Sequence, residues 1–268
     1  MPEAETRARI DPDADLALLR NAARQAGAIA LRYFGKDPQV WMKEGASPVS
    51  EADYAADTYL RETLLAARPD HGWLSEETAD DPARLKARRL FVVDPIDGTR
   101  GFLEGKDTWC VSVALVEDGR TIAGVLECPA KRETYWALPG QGAFCNGRRI
   151  TVRAASPRPD VAGPKPMLDA LPPEWGERIH RAAYVPSLAY RLAMIANGSL
   201  DATFVKPNAH DWDIAAADLI LHEAGGRLLD REGRRPRYGG AEIRHGALCA
   251  GSGALLDVMA GIVAGYGR

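Results

Sequence analysis

Apolar residues recur with a helical period near the start of the chain. Over residues 13–34 they return every three to four positions, and Gly35 follows directly. This spacing predicts an amphipathic helix that stops at the glycine, after a frayed stretch at 1–12. A second helix is predicted from Ser50 to about residue 67.

The middle of the chain changes to runs that suit β-strands. Residues 109–117 and 121–127 are largely apolar, and Asp118-Gly119 between them is typical of a tight hairpin turn. Residues 134–138 are expected to add a third strand. Helices mixed with antiparallel strands in this way indicate a layered α+β fold.

The last third combines a proline-rich stretch with further periodic segments. Residues 154–173 are predicted to connect an N-terminal α+β part, 1–153, to a C-terminal α/β part, 154–268. Within the second part, 187–196 is predicted as a helix, 201–205 as a strand and 213–224 as a helix.

Two carboxylates follow a short apolar run that is expected to form a buried strand. The run ends at Asp94, and Asp97, Gly98 and Thr99 come next. Carboxylates are the oxygen ligands that Mg²⁺ prefers, and a Gly-Thr turn at a helix start offers N–H groups to an anion. The pattern predicts a metal-dependent phosphate site, although Asp-Pro and Asp-Gly pairs also occur in ordinary turns.

Two further acidic positions lie at predicted element boundaries. Glu76-Glu77 follows a short apolar segment, and Asp213 opens the last predicted helix. Taken singly, paired glutamates indicate a surface step and an aspartate at a helix start indicates an N-cap. Three such clusters in one chain favour a shared site.

These motifs together resemble the inositol monophosphatase superfamily. The resemblance runs from about Lys43 to Gly226 and includes the segment 142–147. It implies an αβαβα sandwich and a Mg²⁺-dependent, often Li⁺-sensitive phosphomonoesterase that acts on a small phosphorylated metabolite. Members are commonly homodimers, and a homodimer is expected here.

The resemblance also implies two or three Mg²⁺ ions and a set of ligands. That set comprises Glu76, Asp94, the Ile96 carbonyl, Asp97 and Asp213. Asp94 is expected to be shared by two metals, Glu76 and Ile96 to complete the first site, and Asp97 and Asp213 the second. Glu77 is expected either to support a third metal or to be a supporting or surface acid.

The expected nucleophile is a water activated by the metals, with Glu76 contributing to catalysis. Thr99 is predicted to orient that water and Asp53 to orient Thr99, while the N–H groups of Gly98 and Thr99 hold the phosphate. The alternative for Asp53 is a capping box with Ser50 at the start of the second helix.

The substrate is predicted from three positions. Ser75 before the glutamates is similar to 3′(2′),5′-bisphosphate nucleotidases, and Arg100-Gly101 is similar to nucleotidases and to some histidinol-phosphate phosphatases. Lys206 is expected to bind a second phosphate or to be a surface lysine. Hydrolysis of adenosine 3′,5′-bisphosphate is therefore predicted. The alternatives are an inositol-1-monophosphatase, a histidinol-phosphate phosphatase, and, in another class, a catalytically silent scaffold that binds phosphorylated metabolites.

Composition excludes several other classes. The formal net charge of -3 argues against a nucleic-acid-binding protein, which carries a basic face. The four cysteines show no paired metal-ligand spacing, and no signal-peptide or membrane-spanning apolar run is found. A cytoplasmic location without membrane partners is expected.

Overall fold

The computed structural model describes residues 11–43 and 48–266, so most of the segment expected to be frayed lies outside the described residues. The helices are α1 Pro12–Leu31, α2 Glu51–Ala67, α3 Thr99–Leu103, α4 Lys165–Asp169, α5 Pro173–Gly176, α6 Leu188–Ala196, α7 Asp211–Glu223 and α8 Gly253–Gly265, with a short 3-10 helix at Pro82–Lys86.

Two larger and two smaller sheets accompany the helices. The strands are β1 Val40–Met42, β2 Pro48–Ser50, β3 Gly72–Ser75, β4 Arg89–Asp97, β5 Cys110–Glu117, β6 Arg120–Cys128, β7 Glu133–Leu138, β8 Gly142–Cys145, β9 Arg148–Ile150, β10 Asp160–Ala162, β11 His180–Arg181, β12 Ala202–Val205, β13 Ala209–His210, β14 Arg227–Leu229, β15 Arg244–His245 and β16 Leu248–Gly251. The first large sheet has seven strands in the order β3-β4-β5-β6-β7-β8-β9, and the second has five in the order β11-β10-β12-β16-β14.

The first sheet is buried on both faces, as strand β4 illustrates. Phe91 and Val93 pack toward α1 and α2, whereas Leu90 and Val92 join a core formed with α6 and α7. Successive side chains of a strand point to opposite faces, so burial on both faces requires the continuous apolar run found in this segment.

The helices α6 and α7 form a layer between the two large sheets. Their apolar residues share one core with β4 to β8 on one side and with β12, β14 and β16 on the other. A separate core lies between the second sheet and helices α4 and α8. The resulting order of layers, helix–sheet–helix–sheet–helix, confirms the predicted αβαβα sandwich.

Most predicted elements are confirmed within a few residues. Two hairpin turns show the residue types that favour a tight connection between strands. Asp118 and Gly119 have φ angles of 50° and 76° between β5 and β6, as a tight hairpin requires. Asn146 and Gly147 form a similar turn between β8 and β9, with φ angles of 49° and 80°.

Three boundaries differ from the predictions. Strand β4 does not end at Asp94 but continues to Asp97, with a register irregularity between the two aspartates. Helix α7 begins at Asp211. The proline-rich connection at 154–173 contains β10, which pairs in parallel with β11 and β12, because its prolines flank the strand and remove no ladder N–H from it.

The division of the chain at residues 153 and 154 stays a prediction. The two large sheets lie on either side of that boundary, yet α6 and α7, from the later part, pack against strands of the earlier sheet. Within the described ranges, no helix combines the length and apolar character needed to cross a membrane.

Candidate active site

Three aspartates meet where strand β4 ends and helix α7 begins. Asp94, Asp97 and Asp213 each place a carboxylate oxygen within 4.8 Å of the others. The irregular end of β4 brings the first two together, and the Ser112 hydroxyl on β5 donates to the Trp212 carbonyl at 3.2 Å, which fixes the start of α7 beside them. The sequence predicted this convergence.

The electrostatics of the cluster favour a cation. Burial, followed by repulsion from Glu76, Asp97 and Asp213, raises the pKa of Asp94 well above its usual range. Burial and the neighbouring Asp97 likewise raise the pKa of Asp213. Buried carboxylates at this spacing repel one another when ionised, and a bound divalent ion removes that cost. The donor set therefore fits a hard metal ion that prefers oxygen ligands.

Glu76 and Glu77 follow strand β3 and share one cation. The Lys43 ammonium lies 3.1 Å from Oε1 of Glu76 and 2.6 Å from Oε1 of Glu77. The Glu77 side chain is only 1% exposed, so its carboxylate does not lie on the surface. Burial and then repulsion from Glu76 raise the pKa of Glu77 to about 7. Glu76 is not among the carboxylates that lie within 4.8 Å of one another, but repulsion from it contributes to the raised pKa of Asp94.

Asp53 makes both of the contacts that the sequence offered as alternatives. Its Oδ2 accepts a hydrogen bond from the Ser50 amide at 2.8 Å, as a capping box requires, and a second from the Ser50 hydroxyl at 2.6 Å. Its Oδ1 lies 3.1 Å from the Thr99 hydroxyl oxygen, which is also 3.0 Å from the Ile96 carbonyl. One hydroxyl proton serves one of these acceptors at a time, so Asp53 and Ile96 compete for it.

The turn after Asp97 depends on a glycine. Gly98 has a φ of 96° and precedes the short helix α3. A Cβ at this position would lie 3.0 Å from the Ser187 Cβ, so both the backbone conformation and the neighbouring chain require glycine. Ile96 is buried against Phe102 and Trp109, which fixes the backbone of the turn from below.

Asp97 also binds the N-terminus of helix α6. Its Oδ2 accepts hydrogen bonds from the Ser187 hydroxyl and, at 2.6 Å, from the Ala189 amide. Burial raises the pKa of Asp97 to about 6, and these hydrogen bonds oppose that rise. The sequence analysis did not identify Ser187 as part of the site, although a serine before an apolar periodic segment is an N-cap signal.

Arg191 is a second residue that the sequence analysis missed. It lies in α6, and its Nε is buried without a hydrogen-bond partner among residues 11–43 and 48–266. Burial lowers the pKa of Arg191, and the charge of Asp97 opposes this effect, so the guanidinium lies within electrostatic range of Asp97. Arginine in a predicted helix is usually a surface residue. Only the packing of α6 shows that part of the Arg191 side chain is buried.

Two positions used to predict the substrate have other surroundings. The buried Ser75 hydroxyl donates to Asp57 on α2, and Thr78 donates to the same carboxylate at 2.8 Å. Ser75 therefore connects β3 to α2, and this structural role accounts for a serine at this position without a contact to substrate. Lys206 follows β12, is exposed, and makes no hydrogen bond or ion pair within the part of the chain that the structure describes.

Similar proteins agree with this geometry. The model of the inositol monophosphatase family matches residues 11–264. A Streptomyces griseus protein named glucose-1-phosphate thymidylyltransferase is 36% identical, covering 83% of this chain and 88% of that protein. An inositol-1-monophosphatase of Rhizobium meliloti (strain 1021) is 34% identical, covering 88% and 91%. A histidinol-phosphatase of Mycobacterium tuberculosis is 32% identical, covering 85% and 92%.

The fold is shared with a solved structure as well. The extragenic suppressor protein suhB from Bartonella henselae superposes with a TM-score of 0.81 at 30% identity, covering 95% of this chain and all of that one. The carboxylate cluster, the family match over nearly the whole chain and this superposition lead to one conclusion. The chain belongs to the inositol monophosphatase family and is a phosphatase that acts on phosphoric monoesters.

Proposed function

We propose that the chain is a 3′(2′),5′-bisphosphate nucleotidase that hydrolyses adenosine 3′,5′-bisphosphate to AMP and phosphate. The observation that carries this proposal is Arg191, a cation beside Asp97 whose Nε has no acceptor among the described residues. The Nε of this half-buried side chain has an unused donor, and a guanidinium can bind a phosphate through more than one hydrogen bond. Lys206, predicted to meet the same second phosphate, adds a further cation.

The acidic residues would hold two or three Mg²⁺ ions. The proposed ligands are Glu76, Asp94, the Ile96 carbonyl, Asp97 and Asp213, with Glu77 as a candidate for the third ion. When bound, the ions would supply positive charge to the phosphoryl oxygens and lower the pKa of water.

The chain's own residues would then position the reactants. Thr99, oriented by its hydrogen bond to Asp53, would hold the attacking water, because donation of its proton to Asp53 leaves its lone pairs free to accept from that water. The backbone N–H groups of Gly98 and Thr99, at the start of α3, would hold the phosphate oxygens.

A histidinol-phosphate phosphatase or an inositol-1-monophosphatase is the second candidate. It is favoured by the relatives with those names, which are 32% and 34% identical to this chain. Histidinol carries an ammonium group, which a nearby guanidinium repels, and inositol offers hydroxyl groups without charge. Arg191 is therefore matched better by a second phosphate than by either leaving group. A silent scaffold is disfavoured because Asp94, Asp97 and Asp213 are all present and converge on one point.

A substrate panel tests the proposal. We expect the highest kcat/KM in Mg²⁺ for adenosine 3′,5′-bisphosphate, compared with inositol 1-phosphate, histidinol phosphate and fructose 1,6-bisphosphate. Arg191→Gln should lower kcat/KM for the nucleotide roughly tenfold or more, because a charge-assisted contact is lost, and less for monophosphates. Arg227→Gln, which removes an exposed ion pair with Asp257, is the matched control. Higher kcat/KM for histidinol phosphate or inositol 1-phosphate would contradict the proposal.

A further inference from the structure

An exposed tyrosine lies next to the proposed active site. Tyr184 is 75% exposed, the largest value among the described large apolar and aromatic side chains. It belongs to the segment between β11 and α6, and its ring has no aromatic partner in the described ranges. Exposure of an aromatic ring to water is unfavourable unless something covers it, so the ring is available to a ligand.

The segment that carries Tyr184 is fixed against the phosphate turn. Two residues further on, Pro186 packs so closely on Gly101 that a Cβ there would lie 2.9 Å from the Pro186 Cγ. The next residue, Ser187, binds Asp97 and touches Gly98. At the other end of the segment, the Ala182 amide donates to the Val161 carbonyl at 3.0 Å. Tyr184 is therefore held on a short, anchored span beside the acidic cluster.

Tyr184 and Arg191 stand before and after the Ser187 N-cap of α6. The Arg191 amide donates to the Ser187 carbonyl at 3.2 Å. Arg191 therefore lies one helical turn after the N-cap residue that binds Asp97. Asp97 and Tyr184 both oppose the lowering of the Arg191 pKa by burial, so both side chains lie within electrostatic range of the guanidinium. An aromatic ring and a guanidinium are thus carried on either side of the N-cap that binds Asp97.

We propose that Tyr184 is a specificity residue that stacks on the nucleobase of a nucleoside bisphosphate substrate. Base stacking on an aromatic side chain tolerates any base and contributes substantially to nucleotide binding. In this arrangement Arg191 binds the phosphate that is not cleaved and Tyr184 covers the base. The inference rests on the proposed nucleotidase function and adds the part of the site that reads the nucleoside.

The test compares Tyr184→Ala and Tyr184→Phe, with Tyr266→Ala as a control at another partly exposed tyrosine. Tyr184→Ala should raise KM for adenosine 3′,5′-bisphosphate roughly fivefold or more, with kcat little changed. It should leave KM for fructose 1,6-bisphosphate, which has two phosphates and no base, unchanged. Tyr184→Phe keeps the ring and should restore KM. Calorimetry should show the same loss for AMP and none for inorganic phosphate.

Other outcomes would overturn the inference. Equal losses for both bisphosphates, or a changed elution volume in size-exclusion chromatography, would assign Tyr184 to folding or to a contact between copies. If wild-type protein prefers adenosine 3′,5′-bisphosphate and Tyr184→Ala binds it normally, this inference fails alone. If wild-type protein does not prefer that substrate, the proposed function fails and the inference with it.

Discussion

Asp53 is the position at which helix capping and catalysis can be separated experimentally. An asparagine at this site keeps an oxygen that accepts from Ser50, so the capping box is retained. Its other group is an amide that donates to Thr99, so the Thr99 proton must turn to the Ile96 carbonyl, 3.0 Å away. The lone pairs of Thr99 then face the amide, and the predicted orientation of the water is lost.

The expected change in stability follows from the pKa of Asp53. Burial, as the largest cause, raises the pKa of Asp53 to about 6. Compared with about 3.9 in an unfolded chain, this difference costs the folded state about 3 kcal/mol once Asp53 is ionised. The folded state binds the proton more tightly, so the cost is absent below about pH 4 and complete above about pH 6.

Neutral asparagine avoids this cost but makes weaker hydrogen bonds to Ser50. We therefore expect Asp53→Asn to increase the free energy of unfolding by about 1–2 kcal/mol at pH 7.5 in EDTA, and the gain to disappear near pH 4. Urea denaturation at the two pH values measures it. Turnover in Mg²⁺ should fall about 100-fold, within the range for loss of a positioned proton acceptor.

Two variants complete the test of Asp53. Ser50→Ala weakens the cap without touching Thr99, so stability should fall by about 1 kcal/mol while turnover is retained. Combining Thr99→Ala with Asp53→Asn should cost little more turnover than either change alone, because residues that act as one unit are not additive. The reasoning is refuted if Asp53→Asn loses stability at pH 7.5 and keeps its turnover, or if the two losses multiply.

Three further outcomes are expected. Asp94→Asn should abolish most Mg²⁺-dependent turnover yet stabilise the EDTA-treated protein at pH 7.5, since one of the repelling buried charges is removed; near-normal turnover would contradict the metal assignment. Lys43→Gln should lower the Mg²⁺ concentration for half-maximal rate several-fold, because its ammonium competes with a metal ion for two glutamates, whereas Lys106→Gln should not. Gly124→Ala should cost about 1–3 kcal/mol in urea denaturation, since its Cβ would meet the α7 backbone at 2.8 Å; Gly246→Ala, with open space around it, is the control.

The parts of the fold that the sequence predicted are those with a local physical cause. The turn at Asp118-Gly119 was predictable because these residue types accept the positive φ angles that a tight hairpin needs. The two long N-terminal helices were predictable from the helical spacing of their apolar residues. Strand β10 was not predicted because three residues between prolines carry too little pattern for a strand, and its partners come later in the chain.

The candidate site divides in the same way. The aspartate motifs predicted the cluster at Asp94. Each motif places a carboxylate, a typical metal ligand, at the end of a predicted strand or helix, where side chains from different elements can meet. Ser75 was used as a sign of the substrate class, because its partner Asp57, 18 residues away, is not visible as a partner from the sequence. Arg191 was missed because burial of one guanidinium nitrogen depends on the packing of α6. Lithium sensitivity, the homodimer and the cytoplasmic location stay predictions.

The hydrogen bonds of Asp97 have a consequence for the synthesis of the protein. The Ala189 amide that binds Asp97 lies 92 residues later in the chain, and Asp213 is made later still. A growing chain that has only its first sheet contains Asp94 and Asp97. It still lacks helix α6, which binds Asp97, and it lacks the third carboxylate, Asp213. The same applies to a fragment cut before α6. A metal site built on all three aspartates would therefore be completed only after most of the polypeptide has left the ribosome.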